Sequence, residues 1–158
     1  MNRVNKILQN ELFRSHIKEL KELERERIFC GHGMEHLLSV ARIMRIKALE
    51  QDLKTDPELI YAAALLHDIG RGVAYRINSD HAVESAKIAK RILVECDFGE
   101  EECEQILFSV LHHNDLAVPD ELCGLLREAD KLSRNCFDCS AYDECNWSIE
   151  RKNKVIIV

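Results

Sequence analysis

The chain reads as an all-α fold, a single-domain helical bundle of about six or seven helices, and three features of its composition and pattern say so. Aromatic residues make up only 6% of the chain, while Leu, Ala and Ile dominate the apolar set, a balance that favours helices over sheets. Six Gly and two Pro are few for a turn-rich β protein. Apolar positions recur at helical spacing through most of the chain, which is the primary signal for amphipathic helices.

Taken in order, the first helix is predicted from about Asn5 to Arg27, with Ile7, Leu8, Leu12, Ile17, Leu20 and Leu23 along one face. Its last turns form a mixed-charge solvated surface, and Cys30-Gly31-His32-Gly33 breaks it. The second helix runs from Met34 to about Gln51, with His36, Val40, Ile43 and Met44 near one stripe. Asp56 is a natural N-cap with Pro57 at the first helical position. The third helix opens there, leads into His67-Asp68 and ends on Gly70 and Gly72. Val73 to Asn78 is read as a connection, after which Ser79 or Asp80 caps a fourth helix over about His81 to Val94. A fifth covers Glu100 to His113, and Pro119 opens a sixth that reaches about Arg134. Residues 1–27 are thus an N-terminal helix packing on the core, 28–134 the core domain, and 135–158 a Cys-containing segment of the same domain.

At 158 residues and 46% hydrophobic content, the chain can bury one core without staples. Its net charge of −6 argues against a nucleic-acid polymer as partner, because a phosphate backbone attracts basic surfaces. A nucleotide held in a metal-lined pocket stays compatible with it. No apolar run approaches the ~18 residues a membrane span needs, and the N-terminus has no signal-peptide pattern. The expectation is a cytoplasmic protein without a membrane partner; a homo-oligomeric state stays open. Seven Cys is an odd number, and Cys96, Cys103 and Cys123 fall in or beside helical patterns, as reduced thiols do.

The chemistry is concentrated in Ala62-Ala63-Ala64-Leu65-Leu66-His67-Asp68-Ile69-Gly70-Arg71. An apolar helix stops there on an adjacent ionisable pair. A buried charge without a partner costs several kcal/mol or changes protonation. A divalent metal is the natural partner, and imidazole with carboxylate suits Mn, Fe, Co, Ni, Zn or Mg without distinguishing among them. His36 lies upstream at the start of the second helix, and Asp130 lies downstream beside the apolar stripe of Leu125 and Leu126.

This order, with Ala-Leu-Leu-His-Asp-Ile-Gly in the middle, resembles the HD-domain superfamily of metal-dependent phosphohydrolases over roughly residues 28 to 134. The resemblance implies an all-α bundle in which His36, His67, Asp68 and Asp130 hold a metal ion, with His67 and Asp68 at the catalytic centre. The extended branch of that superfamily places further histidines between His-Asp and the last Asp for a second ion. By that resemblance His81 and His112 are the second-site candidates, and His113 lines the pocket. Related chains show a similar Gly-His-x-x-x-His entry in which the second His is the ligand, so His32 reads as a pocket-rim residue. Arg71, Lys131 and Arg134 are candidate phosphate contacts.

The function implied is hydrolysis of a phosphate ester or anhydride of a small molecule, a nucleotide among the candidates, by water activated on one or two divalent ions. No phosphate-binding Walker loop or Ser nucleophile elbow is present, which argues against covalent catalysis. Two alternatives stand beside it: a non-catalytic metal-binding sensor or interaction domain, and a di-iron oxygenase of the same superfamily. Cys136-x-x-Cys139, with Cys145 further on, lies outside the resemblance. Its thiols fit a packing segment folded back through Phe137 and Trp147, a structural metal or cluster with Cys30 as fourth ligand, or an oxidisable pair. The final run, Lys154 to Val158, is β-prone and reads as a packing tail or an edge strand.

Overall fold

A computed structural model describes residues 1–157. Among these the chain forms eight α-helices: α1 (Asn2–Gln9), α2 (Glu11–Leu23), α3 (Met34–Glu50), α4 (Pro57–Leu66), α5 (Arg71–Ile77), α6 (His81–Glu95), α7 (Glu100–His112) and α8 (Glu121–Leu132). A 3₁₀ turn, Cys136–Asp138, follows, and the described residues contain no strand. The β-prone run therefore finds no sheet to join; its residues Val155, Ile156 and Ile157 are exposed, and Val158 lies outside the described residues.

Helix α4 is the axle of the bundle. Ala62 to Leu66 are completely buried, and the helix touches α1, α3, α6, α7 and α8. A helix apolar all round can only sit in a core. Burying Ile60, Leu65 and Leu66 contributes about 1.5–3 kcal/mol each relative to exposure. Asp56 caps it by accepting from the Glu58 N–H, with Pro57 in the first turn as expected. Arg3 and the N-terminal ammonium both engage Glu58, and Arg3 also pairs with Glu102. These ion pairs tie α1 to the starts of α4 and α7.

The element boundaries differ from the sequence expectation in three places. The predicted first helix is two, because Asn10 adopts an extended ψ of 130° and turns its side chain onto the Phe13 N–H as an N-cap. The predicted connection Val73 to Asn78 is mostly helical. Gly70 and Gly72 do not stop the chain: α5 starts at Arg71 and runs to Ile77, where Asn78 closes it in the left-handed conformation at φ 52°, a role Asn tolerates well. The sixth predicted helix begins at Glu121 rather than Pro119, since Asp120 supplies the cap by accepting from the Cys123 N–H.

Candidate metal centre

Six side chains from five places converge beneath the end of α4. His36 comes from the first turn of α3, His67 and Asp68 from the turn after α4, His81 from the first residue of α6, His113 from the end of α7 and Asp130 from α8. His67 and Asp68 are almost wholly buried, and His36 and His113 are buried with them.

Three backbone or hydroxyl acceptors orient the rings. The Nδ1–H of His67 donates to the Ala64 carbonyl at 2.8 Å, and that of His113 to the Val110 carbonyl at 2.7 Å. His36 Nδ1 lies 3.1 Å from Ser133 Oγ, whose own proton goes to the Asp130 carbonyl, so His36 donates there. Each ring thereby turns its Nε2 toward the other donors, the atom a metal would bind.

Two donor groups result. His36 Nε2 is 3.4 Å from His67 Nε2, and these atoms lie 3.8 and 3.4 Å from Asp68 Oδ2. Asp130 Oδ1 adds itself at 3.3 Å from His36 Nε2 and 3.9 Å from His67 Nε2. On the other side, Asp68 Oδ1 lies 3.5 Å from His81 Nε2, which is 3.4 Å from His113 Nε2. Donors bound at ~2.0–2.2 Å to one ion stand roughly 3–4 Å apart, so both groups have ligand spacing. The Asp68 carboxylate is shared, one oxygen toward each histidine pair.

The decisive detail is that both Asp68 oxygens are buried without a hydrogen-bond partner. Arg71 Nε approaches Oδ2 to 2.8 Å, but it too lacks an aligned hydrogen bond. Such a carboxylate is costly unless a cation compensates it. A divalent metal fits this donor set.

Electrostatics agree with that fit. Burial pushes the His36 imidazole down to about 4 despite Asp130, and does the same to His113. His81 is lowered by burial and by Arg71. For His67 burial is outweighed by Asp68 and Asp130, and its pKa rises. Asp68 and Asp130 stay well below the usual carboxylate range although burial opposes this; His67 and Arg71 hold Asp68, while His36, His67 and Arg134 hold Asp130.

The geometry corrects one sequence expectation. His113, not His112, faces the cluster. His112 lies half-buried on the flank of α7, with its ring 4.6 Å from that of Phe108. The remaining candidates meet in one place: Arg71, Lys131, Arg134 and His32 all line a cavity of about 440 Å³ that also reaches Asp130. Arg134 donates to the Gly31 carbonyl, to Asp130 Oδ1 and toward His36 Nε2. His32 donates from Nδ1 to Glu24 at 2.5 Å, and its backbone N–H bonds the same carboxylate at 2.7 Å. Burial opposes the charge on Glu24, yet these donors and the Tyr75 hydroxyl hold its pKa down to about 2. Sequence reasoning missed Glu24, Ser133 and Asn114, whose amide is 3.0 Å from His113 Nε2; only the fold reveals them.

The cysteines behave differently from the chelating expectation. All seven are unpaired, and among the described residues no three thiols converge within 4.8 Å of one another. Phe137 is exposed rather than buried. The segment is held instead by the Asn153 amide, which donates at 2.8 Å to the carbonyls of both Lys131 and Arg134.

Comparison with known proteins decides the family. The family model described as "HD domain" matches residues 33–135. The chain belongs to the HD domain family. That places it in a superfamily of metal-dependent phosphohydrolases whose members bind divalent metals, and its His/Asp clusters could hold such ions. An uncharacterized protein of Clostridium beijerinckii is 40% identical over 153 residues, covering 97% of both chains. Ribonuclease Y of Oleidesulfovibrio alaskensis is 33% identical over 118 residues, which is 74% of this chain and 21% of that protein. Ribonuclease Y of Petrotoga mobilis is 31% identical over 121 residues, 75% of this chain and 22% of the relative. The HD domain chain thus spans about a fifth of the ribonuclease Y proteins it matches. No solved structure matches it. Among the described residues no helix is long and apolar enough to cross a membrane.

Proposed function

We propose that this HD domain protein hydrolyses a phosphate ester or anhydride of a small molecule, a nucleotide among the candidates, using one or two divalent ions. His36, His67, Asp68 and Asp130 would hold the first ion; His81, His113 and the second oxygen of Asp68 would hold the other. Bound there, such ions lower the pKa of a coordinated water toward neutrality and offset phosphoryl charge. The observation that carries the reading is Asp68, buried, without hydrogen-bond partners and flanked by a histidine pair on each oxygen.

The protein's own side chains have definable tasks in this reaction. Ala64, Val110 and Ser133 fix the imidazole tautomers, so that donor atoms need no rearrangement before reaction. Arg71, Lys131 and Arg134 stand at the cavity side of the cluster and would bind the phosphoryl oxygens, the dominant demand of phosphoryl transfer. Arg134 is itself fixed by Gly31 and Asp130, which makes it the better positioned of the three.

The relatives named ribonuclease Y raise a second reading, in which the bond cleaved is a phosphodiester of RNA. The net charge of −6 and the small cavity favour the small-molecule reading. Metal analysis of freshly purified protein tests both. It would be followed by assay of mononucleotides, p-nitrophenyl phosphate and a single-stranded oligoribonucleotide with each metal restored. Hydrolysis that is lost in Asp68→Asn supports the proposal. No turnover with any metal refutes it, and oxygen-dependent turnover with iron alone would identify an oxygenase.

A further inference from the structure

The cavity beside the metal donors is lined by residues both inside and outside the matched HD domain region. The match ends at residue 135. Beyond it, the C-terminal segment contributes Tyr142, Trp147, Arg151 and Lys152 to the lining. That segment is fastened in register with the end of α8 by Asn153, so this wall follows directly on Asp130 and Arg134.

The charge of the lining is lopsided. Arg27, Arg71, Lys131, Arg134, Arg151 and Lys152 all border the cavity, while among the described residues Asp130 is its only carboxylate. This occurs in a chain with 28 acidic residues against 22 Lys and Arg. Among the described residues Arg71 and Arg134 have carboxylate partners, whereas Arg27, Lys131, Arg151 and Lys152 form no ion pair. Converging cations repel one another unless an anion offsets them.

Two of these cations are also positioned. The Arg151 guanidinium lies 5.0 Å from the Trp147 ring centroid, and Lys152 Nζ lies 4.3 Å from that of Tyr142. Lys152 donates to the Tyr142 carbonyl at 2.6 Å. Cation–π contact and a backbone hydrogen bond restrict two side chains that would otherwise wave in solvent. A held cation loses less entropy on binding an anion than a free one.

We infer that Arg151 and Lys152 bind a second anionic group of the substrate, beyond the phosphate at the His/Asp centre. The substrate class is therefore a small phosphorylated molecule carrying another phosphate or a carboxylate. A cavity of about 440 Å³ has the size of small-ligand sites. The inference rests on the phosphohydrolase reading for the placement of the first phosphate, but the anion site itself is defined by the wall.

Calorimetric binding to manganese-loaded protein tests it with two matched pairs of probes. Adenosine 3′,5′-bisphosphate and adenosine 5′-monophosphate differ by one phosphate; 3-phosphoglycerate and glycerol 3-phosphate differ by one carboxylate. The two-anion member of at least one pair is expected to bind roughly tenfold more tightly, the scale of a charge-assisted hydrogen bond. The pair that shows this names the second group. The preference should vanish in the Arg151→Ala, Lys152→Ala double variant and survive in part in Arg151→Lys, with unchanged circular dichroism. Absence of a preference in the unmodified protein, or its survival in the double variant, overturns the inference. So does a loss in the double variant confined to an octauridylate probe, which would assign the wall to RNA. Hydrolysis is followed in the same samples. No turnover with the preference intact would count against the phosphohydrolase and leave the wall standing, and turnover without a preference would do the reverse.

Discussion

Replacing Gly70 by Ala should dismantle one half of the metal centre while leaving the other half nearly in place. Gly70 follows His67-Asp68-Ile69 and lies directly against α6. A Cβ built there meets the Ser85 nitrogen and the Glu84 carbonyl carbon far inside contact distance and the Ser85 Cα at 2.8 Å. All three are backbone atoms, so no side chain can swing away. Ordinary Cβ contacts begin at 3.4 Å, and α6 must withdraw at least from 2.8 to 3.4 Å at Ser85 Cα and further at its nitrogen. The Gly70 N–H also donates to Ser85 Oγ at 2.9 Å in the interior, a bond that the same withdrawal stretches. Overpacking of this kind costs on the order of 1–3 kcal/mol, or a fall in Tm of roughly 2–12 °C for a chain of this size. His81 rides on the first turn of α6, and its Nε2 stands 3.5 Å from Asp68 Oδ1. Metal–ligand distances tolerate only about 0.2 Å, so the His81 side loses its grip, while His36 and Asp130 sit on α3 and α8 and His67 caps the end of α4. Isothermal titration with manganese should show the weaker binding step lost and the tighter one retained, alongside the lower Tm. A Gly70→Ala protein with unchanged Tm and two intact steps would refute the reasoning about close approach.

Two further outcomes follow. His113→Ala should weaken the second metal step at least tenfold, because ligand bonds dominate such sites, whereas His112→Ala should leave both steps as they were; the reverse pattern in a titration would mean that the α7 rings are exchanged. In chelator-treated protein, stability should fall as pH drops from 6.5 toward 4. His36 and His113, lowered to about 4 by burial, are neutral when folded and protonated when unfolded across that window. The unfolded chain binds the extra protons, so stability rises with pH there by up to about 1.4 kcal/mol per unit for each imidazole. His67, whose pKa is raised, acts above 6.5 and does not reverse the sign. Melting curves between pH 7 and 5 check this, and a Tm that climbs on acidification contradicts it.

Much of the bundle was legible because its signals are local. The buried run of α4, the cap pairs Asp56-Pro57 and Asp80-His81, and the stripes of α3 and α8 each declare themselves within a few residues. The helices that escaped prediction depend on something else. Asn10 breaks a continuous amphipathic pattern only because its side chain captures the Phe13 N–H, a choice no periodicity records. Helix α5 forms with Gly70 as its cap and Gly72 in its first turn because α2 and α6 pack against it, a tertiary gain that overrides weak propensity. The C-terminal segment was opaque for the same reason: the Asn153 amide that ties it to α8 reaches carbonyls some twenty residues away, and Cys136 and Ala141 are buried only through the tertiary fold.

The site divides along the same line. His67 and Asp68 could be picked out because they end an apolar helix, where a polar pair needs a reason, and the resemblance to HD domains then pointed to His36 and Asp130. His112 and His113 offer no such contrast, since neighbouring helical positions point about 100° apart and only the roll of α7 says which turns inward. That roll is set by Cys103, Ile106 and Val110, buried along the face toward the core. His113 lies three residues beyond Val110 and so continues that face, with its Nδ1–H bonded to the Val110 carbonyl. His112 falls instead one turn after Phe108, on the flank, and stacks there. The stripe Cys103-Ile106-Val110-His113 was present in the sequence all along; extending it by one step, rather than weighing the two histidines by their order in the chain, selects the residue that meets His81 and Asp68.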